Sequence, residues 1–97
     1  MKPVKRLEIV IDAAHTPDLI ALLRKADAPG WTIVRDVQGS GDRGDRTGDG
    51  LGNVYRNCYV LVACPPELAE SLKAAILPML HRYGGLCLES DATVMRD

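Results

Sequence analysis

The residues best suited to chemistry lie in one glycine-rich stretch, residues 39–53, whose letters are GSGDRGDRTGDGLGN. Gly39 and Gly41 allow backbone N–H groups to approach a ligand closely. The guanidinium groups of Arg43 and Arg46 are suited to holding an anion through paired hydrogen bonds. The stretch therefore favours an anion-binding loop, and a solvated loop of mixed charge is the alternative.

Familiar ligand-binding motifs fail on this stretch. Residues 39–44 match GxGxxG, but a dinucleotide site needs a helix to begin there, and residues 45–52 are too rich in glycine to supply one. A phosphate-binding P-loop needs a lysine where Asp45 stands. Asp42, Asp45 and Asp49 are three and four residues apart rather than two and two, so neither calcium nor another metal is predicted.

A second glycine pair, Gly84 and Gly85, follows a positively charged segment near the end of a helical pattern. It could face an anion, or it could simply end the helix. His15 and His81 have no partner at the spacing of a metal site or a catalytic triad. No catalytic residue is predicted, and the chain is expected not to be an enzyme.

Periodic patterns predict four strands and two helices around the loop. Thr16 as a cap and Pro17 as the first helical residue favour one helix start, and Pro65-Pro66-Glu67 favours the other. The glycine-rich loop itself is expected to form no regular element. The predicted order is strand 5–12, helix from 16, strand 31–38, strand 54–64, helix from 66, and strand 86–89.

This β-α-β-β-α-β order is that of the α+β ferredoxin-like sandwich, with the long loop between the second and third strands. The 97 residues suit one domain, 1–97. Ile33 and Val37 are expected on one face of the second strand and Val34 on the other. Because both faces carry apolar residues, the face of the sheet without helices is expected to pack against other subunits.

Charge and hydropathy exclude several partners. The net charge is −1 with acidic and basic residues interspersed, so no nucleic-acid or membrane-surface partner is predicted. The longest apolar runs are too short to span a bilayer, and the N-terminus lacks the features of a signal peptide. The expected location is the cytoplasm, where the three cysteines would stay reduced.

In the order of its segments, the chain resembles the PII signalling family. The matching segments are LEIVID as first strand, GWTIVRDVQGSGDRG as second strand and start of the family's T-loop, CPPELAESLKAAI at the junction with the second helix, and GGLCLES as a reduced B-loop with the last strand. The resemblance implies a trimer that binds adenine nucleotides in the clefts between subunits. Residues 39–53 would then be the T-loop.

The resemblance also implies a set of nucleotide-binding residues. They lie at the base of the T-loop, in the second and third strands, in the reduced B-loop and near the C-terminus. They are Gly39, Ser40, Gly41, Ala63, Gly84, Gly85 and Arg96, together with Thr32 or Ile33, which are alternatives for one position in the second strand. No cofactor is implied beyond these ligands.

Departures from the family's pattern narrow the expected ligands. The family's TG-x-x-GDGK pattern and its lysine are absent, which favours ADP or AMP over ATP. Arg43 stands where the family has the glutamine used with magnesium-ATP to bind 2-oxoglutarate. These features are similar to those of diverged PII-like proteins linked to inorganic-carbon acquisition and carboxysomes. That branch implies bicarbonate as a second ligand, with Arg43 and Arg46 as its donors.

The leading hypothesis is a non-enzymatic sensor in which ligand orders the T-loop and changes binding to a protein target. A bicarbonate transporter or a carboxysome-related protein would be such a target. The alternatives are a trimeric structural or ion-tolerance protein of the CutA-like type, a nitrogen-regulatory PII protein, and a small ferredoxin-like enzyme.

Overall fold

The computed structural model describes residues 1–41, 44–46 and 56–96, with the backbone alone at residues 40, 41 and 44–46. In chain order the elements are β1 (Lys2–Asp12), a 3-10 turn (Ala13–His15), α1 (Thr16–Lys25), β2 (Thr32–Val37), β3 (Gly39–Gly41), β4 (Gly44–Arg46), β5 (Asn57–Cys64), α2 (Pro66–Tyr83) and β6 (Leu86–Val94).

The main sheet has four antiparallel strands in the order β2-β5-β1-β6. Residues of β1 and β5 that alternate along the strand are buried, and they share one core with residues of α1 and α2. Both helices therefore pack on one face of the sheet. This arrangement confirms the predicted α+β ferredoxin-like fold, with β2, β5 and β6 as its second, third and last strands.

Branched aliphatic side chains fill the space between the sheet and the helices. Each of them contributes about 1.5–3 kcal/mol when fully buried. The largest fully buried side chains are Leu7, Ile9 and Ile11 of β1, Val60 and Val62 of β5, Leu19 and Leu23 of α1, and Leu72 and Ile76 of α2.

The prediction that Ile33 and Val37 share a face is wrong. Ile33 pairs with Val60 on the helix-covered face, whereas Val37 pairs with Asn57. The register shifts between Val34 and Val37, because β2 has one residue more than β5 over this interval. Val37 therefore lies on the same side of the sheet as Val34.

The expectation that the glycine-rich stretch forms no regular element is also wrong in part. Gly39 pairs with Arg46, Ser40 with Asp45 and Gly41 with Gly44 in a separate two-stranded hairpin. Backbone hydrogen bonds between adjacent strands need no buried side chain, so glycine can take part in them. The remaining loop positions, 42, 43 and 47–53, lie outside the described residues, and so do residues 54 and 55, where the third strand was predicted to begin.

The start of α1 differs from the predicted cap. Thr16 is the first residue of the helix rather than its cap, and its hydroxyl donates to the backbone carbonyl of Asp12 at 3.2 Å. The Asp12 carboxylate accepts from the Ala14 N–H at 3.0 Å and so caps the preceding 3-10 turn. Asp12 is thus the side chain that ends β1 and starts the turn into the first helix.

Candidate functional site

The base of the glycine-rich loop lies at the carboxyl end of β1. Asp12 of β1 pairs with Asn57 of β5, and Asn57 pairs with Val37 of β2. The Ala13 N–H donates to the backbone carbonyl of Arg56 at 2.8 Å. These contacts fix the position at which the chain leaves β2 for the loop and returns to β5.

An ion pair connects the two sides of this base. Arg56 Nη1 lies 3.4 Å from Asp36 Oδ1, and both side chains are partly exposed to solvent. Asp36 has a φ of 58°, a value that few residues other than glycine adopt. It lies within the irregular part of β2, where the register shifts. This ion pair was not predicted from the sequence. The sequence did contain one indication of it, an aspartate just before the loop and an arginine just after it.

Gly39 begins the hairpin immediately after this base. A Cβ atom added to Gly39 would meet no atom of the described residues within 4 Å, so these residues leave open space beside its backbone. Ser40 and Gly41 follow it in the same short strand, and Arg46 is the last residue of the opposite strand. Arg43 lies outside the described residues, and the side chains of Ser40 and Arg46 do too.

Gly84 and Gly85 connect α2 to β6 at the same end of the sheet. The Gly84 N–H donates to the Leu80 carbonyl at 2.8 Å and ends the helix, so the predicted C-cap is present. Gly84 has a φ of 84° and Gly85 a φ of 101°. A Cβ on Gly85 would lie 2.4 Å from the Val10 carbonyl oxygen, which no real side chain tolerates. Glycine is therefore required at Gly85 by the fold alone.

An aromatic stack lies next to this glycine turn. The rings of His15 and Tyr83 have centroids 3.7 Å apart and planes inclined by 14°. The guanidinium carbon of Arg82 lies 5.5 Å from the centroid of the Tyr83 ring, within the range of a cation–π contact. His15 and the segment before Gly84 are far apart in the sequence, and nothing there indicated that the two would meet.

The predicted residues of β2 and β5 lie farther along the sheet. Thr32 pairs with Leu61 on the face without helices, and its side chain is exposed. Ala63 is exposed as well. Ile33 lies on the opposite face, where it packs against the hydrophobic core. Of the two predicted residues in β2, Thr32 is therefore the one that faces away from the core.

Arg96 is exposed at the far end of the molecule, two residues beyond the end of β6. Val94 pairs with Lys2 at the start of β1, whereas the loop base lies at Asp12. The intervening length of β1 is roughly 33 Å at 3.3 Å per residue. Within one chain, the two glycine segments, residues 39–41 and 84–85, therefore lie at one end of the sheet, and Arg96 lies at the other end.

The sheet face without helices carries apolar side chains among polar pairs. Val34, Leu86 and Leu88 are exposed by 48%, 47% and 58%. The Tyr59 hydroxyl donates to Glu8 Oε2 at 2.8 Å, and this hydrogen bond raises the pKa of the Tyr59 phenol. An apolar surface with internally satisfied polar groups is suited to contact with another protein surface.

A shallow cleft of about 370 Å³ lies at the end of the sheet opposite the glycine segments. Lys5 and Asp91 line it together with Pro3 and Pro66, and Lys5 donates a hydrogen bond to Asp91 that raises the lysine pKa. No residue predicted to bind a ligand lines this cleft. The predicted site and the cleft are thus separate.

The described part of the chain contains no group of three or more histidine, cysteine, aspartate or glutamate side chains arranged to hold a metal ion. Neither of the two helices among the described residues combines the length and the apolar character needed to cross a membrane.

These features define an α+β ferredoxin-like domain with a glycine-rich hairpin between the edge strand β2 and the central strand β5. A sequence model of the family named nitrogen regulatory protein P-II matches residues 4–97. The chain therefore belongs to the PII family, a family of regulatory signalling proteins.

Solved structures of PII-like proteins match nearly the whole chain. CPII, a nitrogen regulatory PII-like protein from Thiomonas intermedia K12, was solved bound to ADP, AMP and bicarbonate; it has a TM-score of 0.89 and 30% identity over 97% of this chain and 90% of that chain. CPII bound to ADP and bicarbonate gives a TM-score of 0.84 at 30% identity, again over 97% and 90% of the two chains.

More distant structures share the fold alone. A DUF3240 family protein from Shewanella baltica OS155 has a TM-score of 0.70 and 13% identity over 100% of this chain and 96% of that chain. No curated protein sequence matches this chain.

Proposed function

We propose that this protein is a PII-like regulator that binds ADP or AMP together with bicarbonate. The nucleotide would lie in clefts between the subunits of a homotrimer. Ligand binding would order the T-loop at residues 39–53 and so change the binding of a protein target in inorganic-carbon metabolism. The protein itself would carry out no reaction.

The observation that carries this proposal is the similarity to CPII over nearly the full chain. CPII has been solved with ADP, AMP and bicarbonate, at 30% identity and a TM-score of 0.89. Similarity at this level covers the sheet, both helices and the segments that flank the loop. A shared ligand class is therefore the simplest expectation, and the more specific link to carbon metabolism follows from the ligand.

The glycine segments support a phosphate-binding role at one end of the sheet. Gly39 has open space beside its backbone, and Gly84 and Gly85 form the turn between α2 and β6. Residues 84–90 contain no lysine. A glycine turn with no lysine or arginine directly after it supplies few charges for a triphosphate, which favours ADP or AMP over ATP.

The spread of the proposed nucleotide-binding residues supports a cleft built by two subunits. Thr32 and Ala63 lie along the sheet, and Arg96 lies at the end opposite Gly39 and Gly84. A second chain can bring its own strands or C-terminus to the glycine segments of the first. The exposed apolar residues on the sheet face without helices provide the surface for this association.

Bicarbonate is proposed as the second ligand, with Arg43 and Arg46 of the T-loop as donors. Arg46 faces Gly39 in the register of the hairpin, so its backbone lies beside the proposed phosphate site. A guanidinium offers a planar pair of N–H donors that matches the two oxygens of a carboxylate or bicarbonate. The target would then bind the T-loop in its ligand-dependent conformation.

Isothermal titration calorimetry tests the proposal. ADP, AMP and ATP are titrated separately, with and without bicarbonate, and ADP and AMP are expected to bind more tightly than ATP. Bicarbonate is expected to bind only when nucleotide is present. Absence of binding for all three nucleotides at millimolar concentration would exclude nucleotide sensing and favour a structural protein of the CutA-like type.

A further inference from the structure

The ion pair between Asp36 and Arg56 connects β2, which leads into the T-loop, with the residue just before β5, the strand that follows the T-loop. Among the residues that the structure describes, its contact joins Arg56 Nη1 and Asp36 Oδ1 at 3.4 Å, longer than a strong charge-assisted hydrogen bond. A guanidinium carries five N–H donors in a planar fork, and one long contact does not saturate it. Arg56 is therefore able to donate to a better acceptor in place of Asp36.

Asp36 holds this contact in an unfavourable backbone conformation. Its φ of 58° lies in the left-handed region, where a side chain is strained unless its surroundings hold it. The same residue lies in the register shift between Val34 and Val37. Breaking the contact with Arg56 removes one of the interactions that keep Asp36 in this conformation, so the end of β2 is the element that can move.

Arg56 is fixed more firmly than Asp36. Its backbone carbonyl accepts from the Ala13 N–H at 2.8 Å, and it is followed directly by Asn57, which pairs with both Asp12 and Val37. The Arg56 side chain is 41% exposed, so solvent and small solutes reach it. A cation on a fixed backbone, accessible from solvent and beside a glycine hairpin, is suited to binding a small anion.

We propose that Arg56 is an anion-binding residue of this site and that Asp36 competes with the anion for its guanidinium. The anion is a small planar oxyanion of the bicarbonate or carboxylate type. When the anion binds Arg56, Asp36 is released and the end of β2 moves together with Gly39 and the hairpin. This inference rests on the proposed function, because it assigns the anion step of the same site.

The two members of the pair have opposite roles, and this gives a test that a purely structural ion pair cannot pass. Asp36→Asn keeps the size of the side chain and its tolerance of positive φ but removes the competing charge. It is expected to tighten bicarbonate binding on the order of tenfold. Arg56→Gln removes the donor fork and is expected to weaken bicarbonate binding on the order of tenfold. Arg35→Gln removes a neighbouring exposed arginine and serves as the matched control.

The experiment is a calorimetric titration of bicarbonate into each full-length variant saturated with ADP, after the ADP affinity of that variant has been measured. Opposite shifts for Asp36→Asn and Arg56→Gln, with no shift for Arg35→Gln, support the inference. If the bicarbonate affinities of Asp36→Asn and Arg56→Gln shift in the same direction, or do not shift, the inference is wrong. If the wild-type protein binds ADP but the two variants show no opposite shifts in bicarbonate affinity, the proposed function stands and only the inference fails. If the wild-type protein binds no nucleotide, the proposed function itself fails.

Discussion

The rings of His15 and Tyr83 stack with their centroids 3.7 Å apart, and so join the residue before α1 to the last residue of α2. Gly84 and Gly85 follow Tyr83 directly. The stack therefore holds the glycine turn from the side of the first helix, at the end of the sheet where the loop base lies. Loss of the stack should therefore lower the stability of the fold and weaken binding at the proposed nucleotide site.

His15→Ala removes the stack and should lower the free energy of unfolding by about 1 kcal/mol, since aromatic pairs contribute about 0.5–1.5 kcal/mol beyond the area they bury. It should also weaken ADP binding, because the Gly84-Gly85 turn loses a support. Urea denaturation and ADP calorimetry measure the two effects. His15→Phe keeps a stacking ring and should behave like the wild-type protein. Equal losses of stability and of ADP affinity in His15→Ala and His15→Phe would contradict a role for the stack.

Gly85→Ala should destabilise the fold strongly. The added methyl group would lie 2.4 Å from the Val10 carbonyl oxygen, and the φ of 101° is unfavourable for any residue with a Cβ. A loss of about 3 kcal/mol or more in the free energy of unfolding is expected from the combined clash and strain. Gly30→Ala is the control, because a Cβ there would meet no atom within 4 Å. Thermal denaturation of both variants compares a blocked position with an open one.

Gly39→Ala tests ligand approach at the loop base. The fold has room for a Cβ at Gly39, as it has at Gly30, so neither substitution should change the melting temperature much. ADP binding should fall in Gly39→Ala, where the methyl group would stand between the backbone and the phosphates, and should be retained in Gly30→Ala. Calorimetry with ADP distinguishes the two. Unchanged affinity in Gly39→Ala would place the phosphates elsewhere.

Leu88→Arg tests the proposed subunit contact. Leu88 is 58% exposed on the sheet face without helices, and burying a charged side chain there against another subunit would cost free energy. Sedimentation velocity should show a shift from the proposed trimer to smaller species. Leu77→Arg is the matched control, because Leu77 is 54% exposed on α2, which covers the opposite face of the sheet. A trimer that survives Leu88→Arg would mean that the subunits associate through another surface.

The stability of the protein should fall at alkaline pH through Tyr59. Its hydrogen bond to Glu8 raises the phenol pKa in the folded protein above that in the unfolded chain. The stabilisation is fully present below the unfolded value of about 10 and is lost as the pH rises through the folded value. Denaturation midpoints measured across this range should decline more in the wild-type protein than in Tyr59→Phe. Parallel declines would show that other groups cause the effect.

The sequence was sufficient for the order and packing of the main elements. Alternating apolar residues such as Leu7, Ile9 and Ile11 defined the buried face of β1, and Pro65-Pro66 placed the start of α2 correctly. These signals are local and depend on one period along the chain. The element order then determined the ferredoxin-like arrangement, and the resemblance to the PII family agrees with the family match over residues 4–97.

The features that the sequence did not predict depend on contacts between segments that are distant along the chain. The extra residue in β2 reverses the side on which Val37 lies, and it coincides with the positive φ of Asp36, which no periodicity indicates. The meeting of His15 with Tyr83 requires the packing of both helices. The proposed roles of Thr32, Ala63 and Arg96 would require a second subunit, and no local pattern along one chain indicates contacts of that kind.

The strand order gives the two ends of the T-loop different mechanical properties. The loop begins at β2, an edge strand with one neighbour in the described sheet, and returns to β5, which is held on both sides by β1 and β2. A displacement of the loop can therefore separate or reshape β2 without breaking the hydrogen bonds between the two central strands. One end of the loop is fixed between two neighbouring strands, and the other end can move at little cost to the folded core.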